Sequence, residues 1–464
     1  MTTLKIKTQN GGTGYVLDSA LCIGAGSEGE IYEVPGDDSR VIKIYKPYAI
    51  DPVRVDKLAA MVADPPTDPM RNKGHASIAW PEDLVVSQAD GKVCGFVMPR
   101  LRDSLPLCQF YDFKFRRVQL PFINYRSLCR IGSNLVSAVW AIHDKGYVIG
   151  DINEGNIMAN EKALVTLVDT DSFQIRETGR GRVFRCLVYT PLYTAPEFQN
   201  VALDQVDRSP AQDLFGITVL LFQLLMEGQL PYACAFSNPG NAPDVVDCLV
   251  NGYFPYAQQL TGMTTPPWAP PYSMLHPALQ DLFNRCFLDG YRDRSLRPDA
   301  KTWHKTLNAT ENDLIACQVN NQHSYFNHLN LCPWCERTQL LNAAMKRGNW
   351  DPFPQPGSVA ASAGFQTGQG GSQKPLSVPS ARPVVTPPGV AAQPAPVALK
   401  DIAVSLNAPI AMNSAQLAML RTLQLNQPQT LLLSPMQLTN HVQLDGHQPL
   451  NDISVDLQFA PVGS

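Results

Sequence analysis

Three polar residues, Asp151, Asn156 and Asp169, constrain this chain more than any other feature. Asp151 and Asn156 are five positions apart, in a loop after a long helix predicted over 125–145. Asp169 follows a short apolar strand predicted over 164–168. A loop between short strands can direct all three side chains into one cleft, where carboxylate and amide oxygens suit Mg²⁺ or Mn²⁺. Asp and Asn are also common in ordinary turns, so the order and spacing carry the prediction.

A glycine-rich segment lies between two strands predicted near the start of the chain. Gly24, Gly26 and Gly29 fit the pattern G-x-G-x-x-G, and Ile31 follows two residues later. Glycines in this pattern let backbone N–H groups approach phosphates closely, although a plain hairpin turn gives the same pattern. Because the segment joins two strands rather than a strand and a helix, it favours a phosphate-covering flap over a dinucleotide-binding turn.

Lys43 lies in the apolar sequence Val41-Ile-Lys-Ile44, soon after the glycines. Behind a glycine-rich hairpin, such a lysine can pair with the α- and β-phosphates of ATP. The alternative is an edge strand with one solvated charge. The acidic partner of Lys43 is expected at the helix predicted over 52–63, with Asp56 as first choice and Asp64 as reserve.

Later segments predict structural support for the cleft. One of these segments is Thr194-Ala-Pro-Glu197, which contains the short structural motif A-P-E. The other is Asp213-Leu-Phe-Gly216, which opens an apolar helix. Arg297 precedes the last predicted helix of the region, where it can pair with Glu197.

Over residues 15–307, these motifs resemble the protein kinase superfamily. Within it, the chain resembles the bacterial kinases of the tellurite-resistance-associated phosphorylation triad. The segments that carry this second resemblance are Gly150-Asp-Ile-Asn-Glu-Gly-Asn156, Asp169-Thr-Asp-Ser-Phe173, Ala79-Trp-Pro81, Gly95-Phe-Val-Met-Pro-Arg100 and Cys332-Pro-Trp-Cys335.

The resemblance implies an α+β, two-lobed kinase fold and ATP-dependent phosphorylation of serine or threonine in protein substrates. Asn156 and Asp169 would ligate Mg²⁺ (or Mn²⁺), and Asp151 would accept the proton of the substrate hydroxyl. Residues Met98 to Leu101 would form the hinge that holds adenine. The family also implies a PP2C-type phosphatase and a von Willebrand A-domain protein as frequent partners.

The chain departs from the kinase pattern in three places. Ile149 and Gly150 replace the His and Arg of H-R-D, so a phosphorylated activation loop would lack its usual docking cation. The D-F-G element reads Asp169-Thr-Asp171, which removes the glycine and adds a carboxylate near the metals. Asn153 stands where kinases often have a lysine, two residues after the catalytic Asp. The alternatives are therefore a nucleotide-binding pseudokinase acting as scaffold or regulator, or an interaction protein that docks through its C-terminal segments.

A cysteine-rich segment follows the kinase-like region. Cys317, His323, Cys332 and Cys335 can supply a tetrahedral, structural Zn²⁺ site, since Cys-x₂-Cys brings two thiolates onto one ion. His323 is preferred to His328 as the fourth ligand, partly on the resemblance. A redox Cys-x-x-Cys and coincidental buried thiols are the alternatives, and no thioredoxin-like pattern surrounds the motif.

Composition and motifs divide the chain into five predicted parts. They are a kinase N-lobe (14–101), a kinase C-lobe (102–310), a zinc-knuckle element (311–345), a Pro/Gly/Ser/Gln-rich linker (346–398) and a C-terminal tail (399–464). The tail is either a small β-rich module or a partly disordered segment.

Charge and hydropathy limit the partners. The formal net charge is −4, so no basic excess predicts binding to nucleic acid or to an anionic membrane. The N-terminus lacks an apolar signal region, and the longest mostly apolar run, 217–226, is shorter than the roughly 20 residues that a membrane span needs. We therefore expect a cytoplasmic protein.

Overall fold

A computed structural model of the chain describes residues 4–237 and 242–346, together with two short strands at 430–431 and 455–456. The chain divides into two units, residues 1–373 and 374–464. In the second unit, the two short strands pair antiparallel. The rest of the predicted tail, and the predicted linker beyond its first residue, lie outside the described residues.

The N-terminal lobe is a seven-stranded sheet. Its strands are β1 (Leu4–Thr8), β2 (Gly14–Leu17), β3 (Cys22–Ala25), β4 (Gly29–Val34), β5 (Asp37–Tyr45), β6 (Asp83–Ser87) and β7 (Val93–Pro99). They lie in the order β2-β1-β6-β7-β5-β4-β3, and every neighbouring pair is antiparallel. Alternating side chains bury one face, as this strand geometry requires.

One helix, α1 (Pro52–Ala63), packs against this sheet. The carboxylate of Asp51 accepts the N–H of Arg54 at 2.7 Å and caps the helix, and Pro52 occupies its first turn. The helix has the bounds that the sequence predicts. The sequence also predicts one strand over 15–23, but the structure divides it because Asp18 caps a 3₁₀ turn there.

The C-terminal lobe is mainly helical. Its helices are α2 (Cys108–Tyr111), α3 (Phe113–Gln119), α4 (Tyr125–Asp144), α5 (Pro210–Leu225), α6 (Val245–Val250), α7 (Pro277–Asn284), α8 (Gly290–Arg292), α9 (Ala300–Glu311) and α10 (Pro333–Lys346). Its short strands are β8 (Ser104–Pro106), β9 (Ile157–Asn160), β10 (Val165–Leu167), β11 (Ile175–Arg176), β12 (Val183–Phe184), β13 (Ala235–Phe236), β14 (Met263–Thr264), β15 (Leu314–Ala316) and β16 (Ser324–Phe326).

Helix α5 forms the centre of this lobe. Its residues from Gln212 to Leu225 are all buried, as expected of a helix that is apolar almost all round. Helix α4 packs one face against α5 and α9, so the loop that follows α4 starts from the core. The two-lobed, kinase-like α+β fold predicted from the sequence is confirmed.

The segment before β6 ties the two lobes together near the predicted site. The Ala79 N–H donates to the Leu167 carbonyl at 2.9 Å, and the Leu167 N–H donates to Ser77 at the same distance. The Trp80 ring stacks on Tyr147 with ring centroids 5.6 Å apart. These contacts fix the end of β10, and therefore Asp169, against the N-terminal lobe.

The predicted ion pair between Arg297 and Glu197 is present. Two guanidinium nitrogens donate to the two carboxylate oxygens at 2.7 and 2.8 Å, although Glu197 is partly exposed rather than buried. We expect Arg297→Met to lower the free energy of unfolding by about 1–3 kcal/mol, between the costs of breaking a surface pair and a buried pair.

Urea unfolding measures this effect, and Arg185→Met is the control. Arg185 pairs with Asp207 at 2.9 Å in a more exposed setting, where the cost should stay under about 1 kcal/mol. Equal losses in both variants would contradict the structural role of the Arg297 pair.

Within the described parts of the chain, none of the helices combines the length and the apolar character that crossing a membrane requires.

Candidate active site

The loop that carries Asp151 is anchored on α5 through Asp213. The Asp213 carboxylate accepts the N–H groups of Ile149 and Gly150 at 2.7 and 2.8 Å. It also lies 2.9 Å from the Nε2 atom of His143, near the end of α4. One buried carboxylate therefore holds both ends of the turn that precedes Asp151.

Asp151 lies at the floor of the cleft. Its two carboxylate oxygens accept the Thr190 hydroxyl at 2.9 Å and the Asn153 side-chain amide at 3.1 Å. Burial raises the pKa of Asp151 above the ordinary carboxyl value, while Thr190, Arg208 and Asn153 partly oppose that rise. A partly buried carboxylate with a raised pKa and a hydroxyl in contact has the properties of a general base.

Asn156 and Asp169 lie side by side. The Val168 N–H donates to the Asn156 carbonyl at 3.0 Å, which joins the end of β10 to the start of β9. The Asn156 side-chain nitrogen donates to the Asp151 carbonyl at 3.3 Å, so its amide oxygen remains available as a ligand. Asp169 has the left-handed φ of 55°, and its side chain is 42% exposed. These oxygens fit a divalent cation such as Mg²⁺.

The acidic partner of Lys43 comes from the loop after β10. The Lys43 ammonium donates to both oxygens of Asp171 at 2.8 and 2.9 Å, and to Asp169 at 3.3 Å. The Tyr45 hydroxyl also donates to Asp171, at 2.5 Å. Burial alone raises the pKa of Asp171, but Lys43 and Tyr45 outweigh it and lower that pKa.

The expectation that Asp56 or Asp64 pairs with Lys43 is wrong. Asp56 accepts Arg182 at 2.7 Å, and Asp64 accepts Lys145 and Thr178. The reason lies in the orientation of α1, which buries Lys57 and leaves Asp56 exposed. The sequence has an acid, Asp56, on this helix, but Asp56 does not lie on the buried face of α1.

Lys57 is itself a buried cation near the cleft. Its side chain is 8% exposed, and burial lowers its pKa to about 8. The negative charge of Asp171 partly opposes that effect.

The glycine-rich segment forms the turn between β3 and β4. Gly24 in β3 pairs with Ile31 in β4, and Ile31 in turn pairs with Lys43 in β5. The turn and the lysine therefore lie at the same end of the sheet. A side chain at Gly29 would lie 2.4 Å from the Ile44 carbonyl oxygen, so only glycine allows the strands to approach this closely.

Contacts from the following segment hold this turn. Lys46 donates to the Gly26 carbonyl at 2.8 Å, and Arg54 forms a two-bond ion pair with Glu28 at 2.9 and 3.0 Å. Met98 in β7 pairs with Val41 in β5, and Leu101 follows the end of β7, half-buried.

Sequence reasoning missed four residues that contribute to the site. They are Tyr45, Lys57, Thr190 and Arg208. Of these, Thr190 was the easiest to find from the sequence. It lies between Asp169-Thr-Asp171 and Ala195-Pro-Glu197, in the segment that a kinase-like fold brings next to the catalytic loop. Arg208 could not be found in this way, because its contact with Gly150 joins parts of the chain far apart in sequence.

A second cluster lies beyond α9. The ligand atoms of Cys317, His323, Cys332 and Cys335 all lie within 4.8 Å of one another. Cys317 Sγ lies 3.5 Å from Cys335 Sγ, and His323 Nδ1 lies 3.5 and 3.6 Å from the sulfurs of Cys335 and Cys332. Ligands at about 2.0–2.3 Å from a tetrahedral Zn²⁺ are separated by about 3.3–3.8 Å. The cluster therefore fits zinc.

Local structure forms this cluster. Cys317 directly follows β15 and His323 directly precedes β16, so the two residues flank the turn of this hairpin. The Cys317 N–H donates to the His323 carbonyl at 3.0 Å. Cys332 and Cys335 lie at the start of α10, where the Cys335 N–H donates to Cys332 at 3.1 Å. His328 lies outside the cluster and contacts the Ser273 carbonyl.

Comparisons with known proteins agree with this fold. The chain is 31% identical over 341 residues to protein kinase YegI of Escherichia coli strain K12, and 30% identical over 328 residues to YegI of E. coli O157:H7. The alignments cover 72% and 70% of this chain, but 50% and 49% of those proteins, so the chain spans about half the length of these relatives.

A more distant match is the PAS domain-containing serine/threonine-protein kinase of Mus musculus. It is 28% identical over 153 residues, which is 33% of this chain and 10% of that protein. No family model matches the chain.

The two-lobed fold and its cleft define a protein that is kinase-like. The chain belongs to a bacterial protein kinase-like family that includes the two YegI proteins.

Proposed function

We propose that this chain transfers the γ-phosphoryl group of ATP to serine or threonine hydroxyls of protein substrates. The observation that carries the proposal is the hydrogen bond from the Thr190 hydroxyl to Asp151, at 2.9 Å. In this bond an aliphatic hydroxyl donates to the Asp151 carboxylate. A substrate hydroxyl that displaced Thr190 would meet the same acceptor.

In the proposed mechanism, each residue acts on a defined atom. Asp151 accepts the proton as the hydroxyl oxygen attacks the γ-phosphorus and ADP leaves. Lys43, oriented by Asp171 and Tyr45, donates to the α- and β-phosphates. Asn156 and Asp169 would hold Mg²⁺ or Mn²⁺, and the ion would neutralise charge on the phosphates. The glycine turn and residues Met98 to Leu101 would enclose the phosphates and adenine.

Phosphotransfer from radiolabelled ATP tests this proposal. The full chain is incubated with Mg²⁺ or Mn²⁺ and a panel of candidate proteins, and labelled amino acids are identified after hydrolysis. We expect label on serine or threonine. Label on tyrosine alone would contradict the assigned specificity, and absence of transfer with either metal would contradict the activity.

A nucleotide-binding pseudokinase is the second candidate function. Lys43 is bonded to both oxygens of Asp171 and to Asp169, so its donors are already occupied by the protein. Such a site could bind nucleotide as a scaffold or regulator without transfer. Saturable ATP binding in a thermal-shift titration, combined with no transfer, would favour this function.

Zinc at the Cys₃His cluster is part of the proposal. We expect one zinc per chain in the purified protein, and loss of that zinc in the double variant Cys332→Ser with Cys335→Ser. The Cys22→Ser variant is the control, because Cys22 lies in the N-terminal sheet. Metal analysis that finds no zinc, or zinc retained by the double variant, would contradict the assignment.

We also propose protein substrates, a PP2C-type phosphatase and a von Willebrand A-domain protein as partners, on the basis of the family resemblance. The sequence predicts a cytoplasmic location.

A further inference from the structure

Arg208 lies beneath the loop that carries Asp151. It precedes Ser209, the residue that caps α5, and only 7% of it is exposed. Its Nη2 atom donates to the Val188 carbonyl at 2.7 Å. The guanidinium therefore contacts the segment 186–190, which ends at Thr190.

Gly150 provides the space for Arg208. Gly150 has a φ of +82°, and a Cβ atom there would lie 2.7 Å from Arg208 Nη1 and 2.7 Å from Cys186 Cβ. A larger residue would displace both neighbours and would strain the backbone. The glycine that replaces the Arg of H-R-D thus allows an arginine from another part of the chain to occupy this position.

Gln174 fixes the backbone of Arg208. Its side chain donates to the Arg208 carbonyl and accepts the Arg208 N–H, each at 2.8 Å. The Gln174 backbone in turn pairs with Val148, just before the catalytic loop, at 2.8 and 3.1 Å. Arg208 therefore belongs to a connected set of hydrogen bonds that spans the loop, Gln174 and the segment 186–190.

Among the described residues, no carboxylate forms an ion pair with Arg208, and its Nε atom has no hydrogen-bond partner. A buried cation without an ionic partner is costly, so its position calls for a compensating role. Its field acts on Asp151 and Cys186.

Several titratable groups surround this position. Lys57 from α1 acts on Cys186, and Cys186 lies against Gly150. His143 from α4 and Asp213 from α5 contact each other and hold the loop from the opposite side. Among the charges that act directly on Asp151, Arg208 favours its ionised form.

We propose that Arg208 is a positioning residue for phosphotransfer, which fastens the segment 186–190 to the catalytic loop. The proposal rests on the proposed kinase function. In this role, Arg208 links the catalytic loop to the segment 186–190. The link therefore forms without a phosphate group on that segment.

Steady-state kinetics of Arg208 variants test this role. Arg208→Met removes the charge while keeping the length, and we expect kcat to fall about 10- to 100-fold with the KM for ATP little changed. A fall in kcat without a change in KM separates positioning at the catalytic loop from a loss of the ATP site.

Arg208→Lys keeps the charge without the planar guanidinium. We expect this variant to recover part of kcat, because it still places a cation beside the Val188 carbonyl. Arg180→Met is the control, because Arg180 is 79% exposed and pairs with Glu177. It should match the wild type in both kcat and the KM for ATP.

Two results would overturn the role of Arg208. One is an Arg208→Met variant with wild-type kcat, and the other is an equal fall in kcat in both Arg208 variants. If Arg208→Met does not fold, Gln174→Met removes the two bonds that hold Arg208, and unchanged kcat there would overturn the role. An inactive wild type would overturn the proposed function as well, whereas an active one isolates the failure to Arg208.

Discussion

Replacement of Asp151 by asparagine is expected to lower kcat for phosphotransfer by about 10²–10⁴-fold, the usual contribution of a general base. Asparagine fills the same space and can still contact Thr190, but it cannot accept a proton. Because Asp151 does not contact Lys43, the affinity for ATP should be retained. Turnover and ATP binding, measured on the same preparation, separate these two effects.

Asp144→Asn is the matched control for this variant. The same replacement of Asp by Asn is made here at Asp144, which is exposed at the end of α4. It should keep wild-type turnover. An Asp151→Asn variant that turned over as fast as Asp144→Asn would remove Asp151 from the mechanism.

Replacement of Asp171 by alanine should weaken both stability and nucleotide binding. Lys43 is 9% exposed, so loss of the Asp171 carboxylate leaves a buried ammonium with Asp169 as its remaining partner. Removing one partner of a buried pair costs about 3–5 kcal/mol, and we expect about 3 kcal/mol because Asp169 still compensates in part. Urea unfolding and ATP titration measure the two losses.

Asp38→Ala is the control for the Asp171 variant. Asp38 is 82% exposed in its pair with Arg102, so its removal should cost under about 1 kcal/mol. The account would be contradicted if Asp171→Ala were as stable as Asp38→Ala. The lowered pKa of Asp171 also predicts that its contribution is full above the ordinary carboxyl pKa of about 4, and is lost as the pH falls through its lower folded-state pKa.

Local patterns predicted much of the fold. The apolar periodicity of α4 and the all-round apolar sequence of α5 depend on burial alone, and α1 begins at a capping Asp and a Pro that mark it in the sequence. Strand β1 was missed because its residues, Leu-Lys-Ile-Lys-Thr, alternate too briefly to stand out. It forms through pairing with β6, far along the chain.

The site was less predictable, because its charges are paired across distant segments. Lys43 was expected to find an acid on α1, but tertiary packing turns Lys57 inward and brings Asp171 to the lysine instead. Asp171 was noted only as a further carboxylate near the metals. The place of Arg208 could not be read from spacing, since it depends on the absence of a side chain at Gly150.

The Cys₃His cluster was easier to predict for a physical reason. Cys332 and Cys335 share one tight turn, and His323 closes a hairpin beside Cys317. The sequence prefers His323 to His328 as the fourth member, and the structure brings His323 into the cluster while His328 contacts Ser273.

The most direct test of the central claim compares ATP labelled in the γ-phosphate with ATP labelled in the α-phosphate, using the wild type and Asp151→Asn. The account predicts that protein acquires label from the γ-labelled nucleotide alone, and that Asp151→Asn abolishes nearly all of it. Label from the α-labelled nucleotide, or no label from either while ATP still binds, would contradict the claim that this cleft transfers phosphoryl groups.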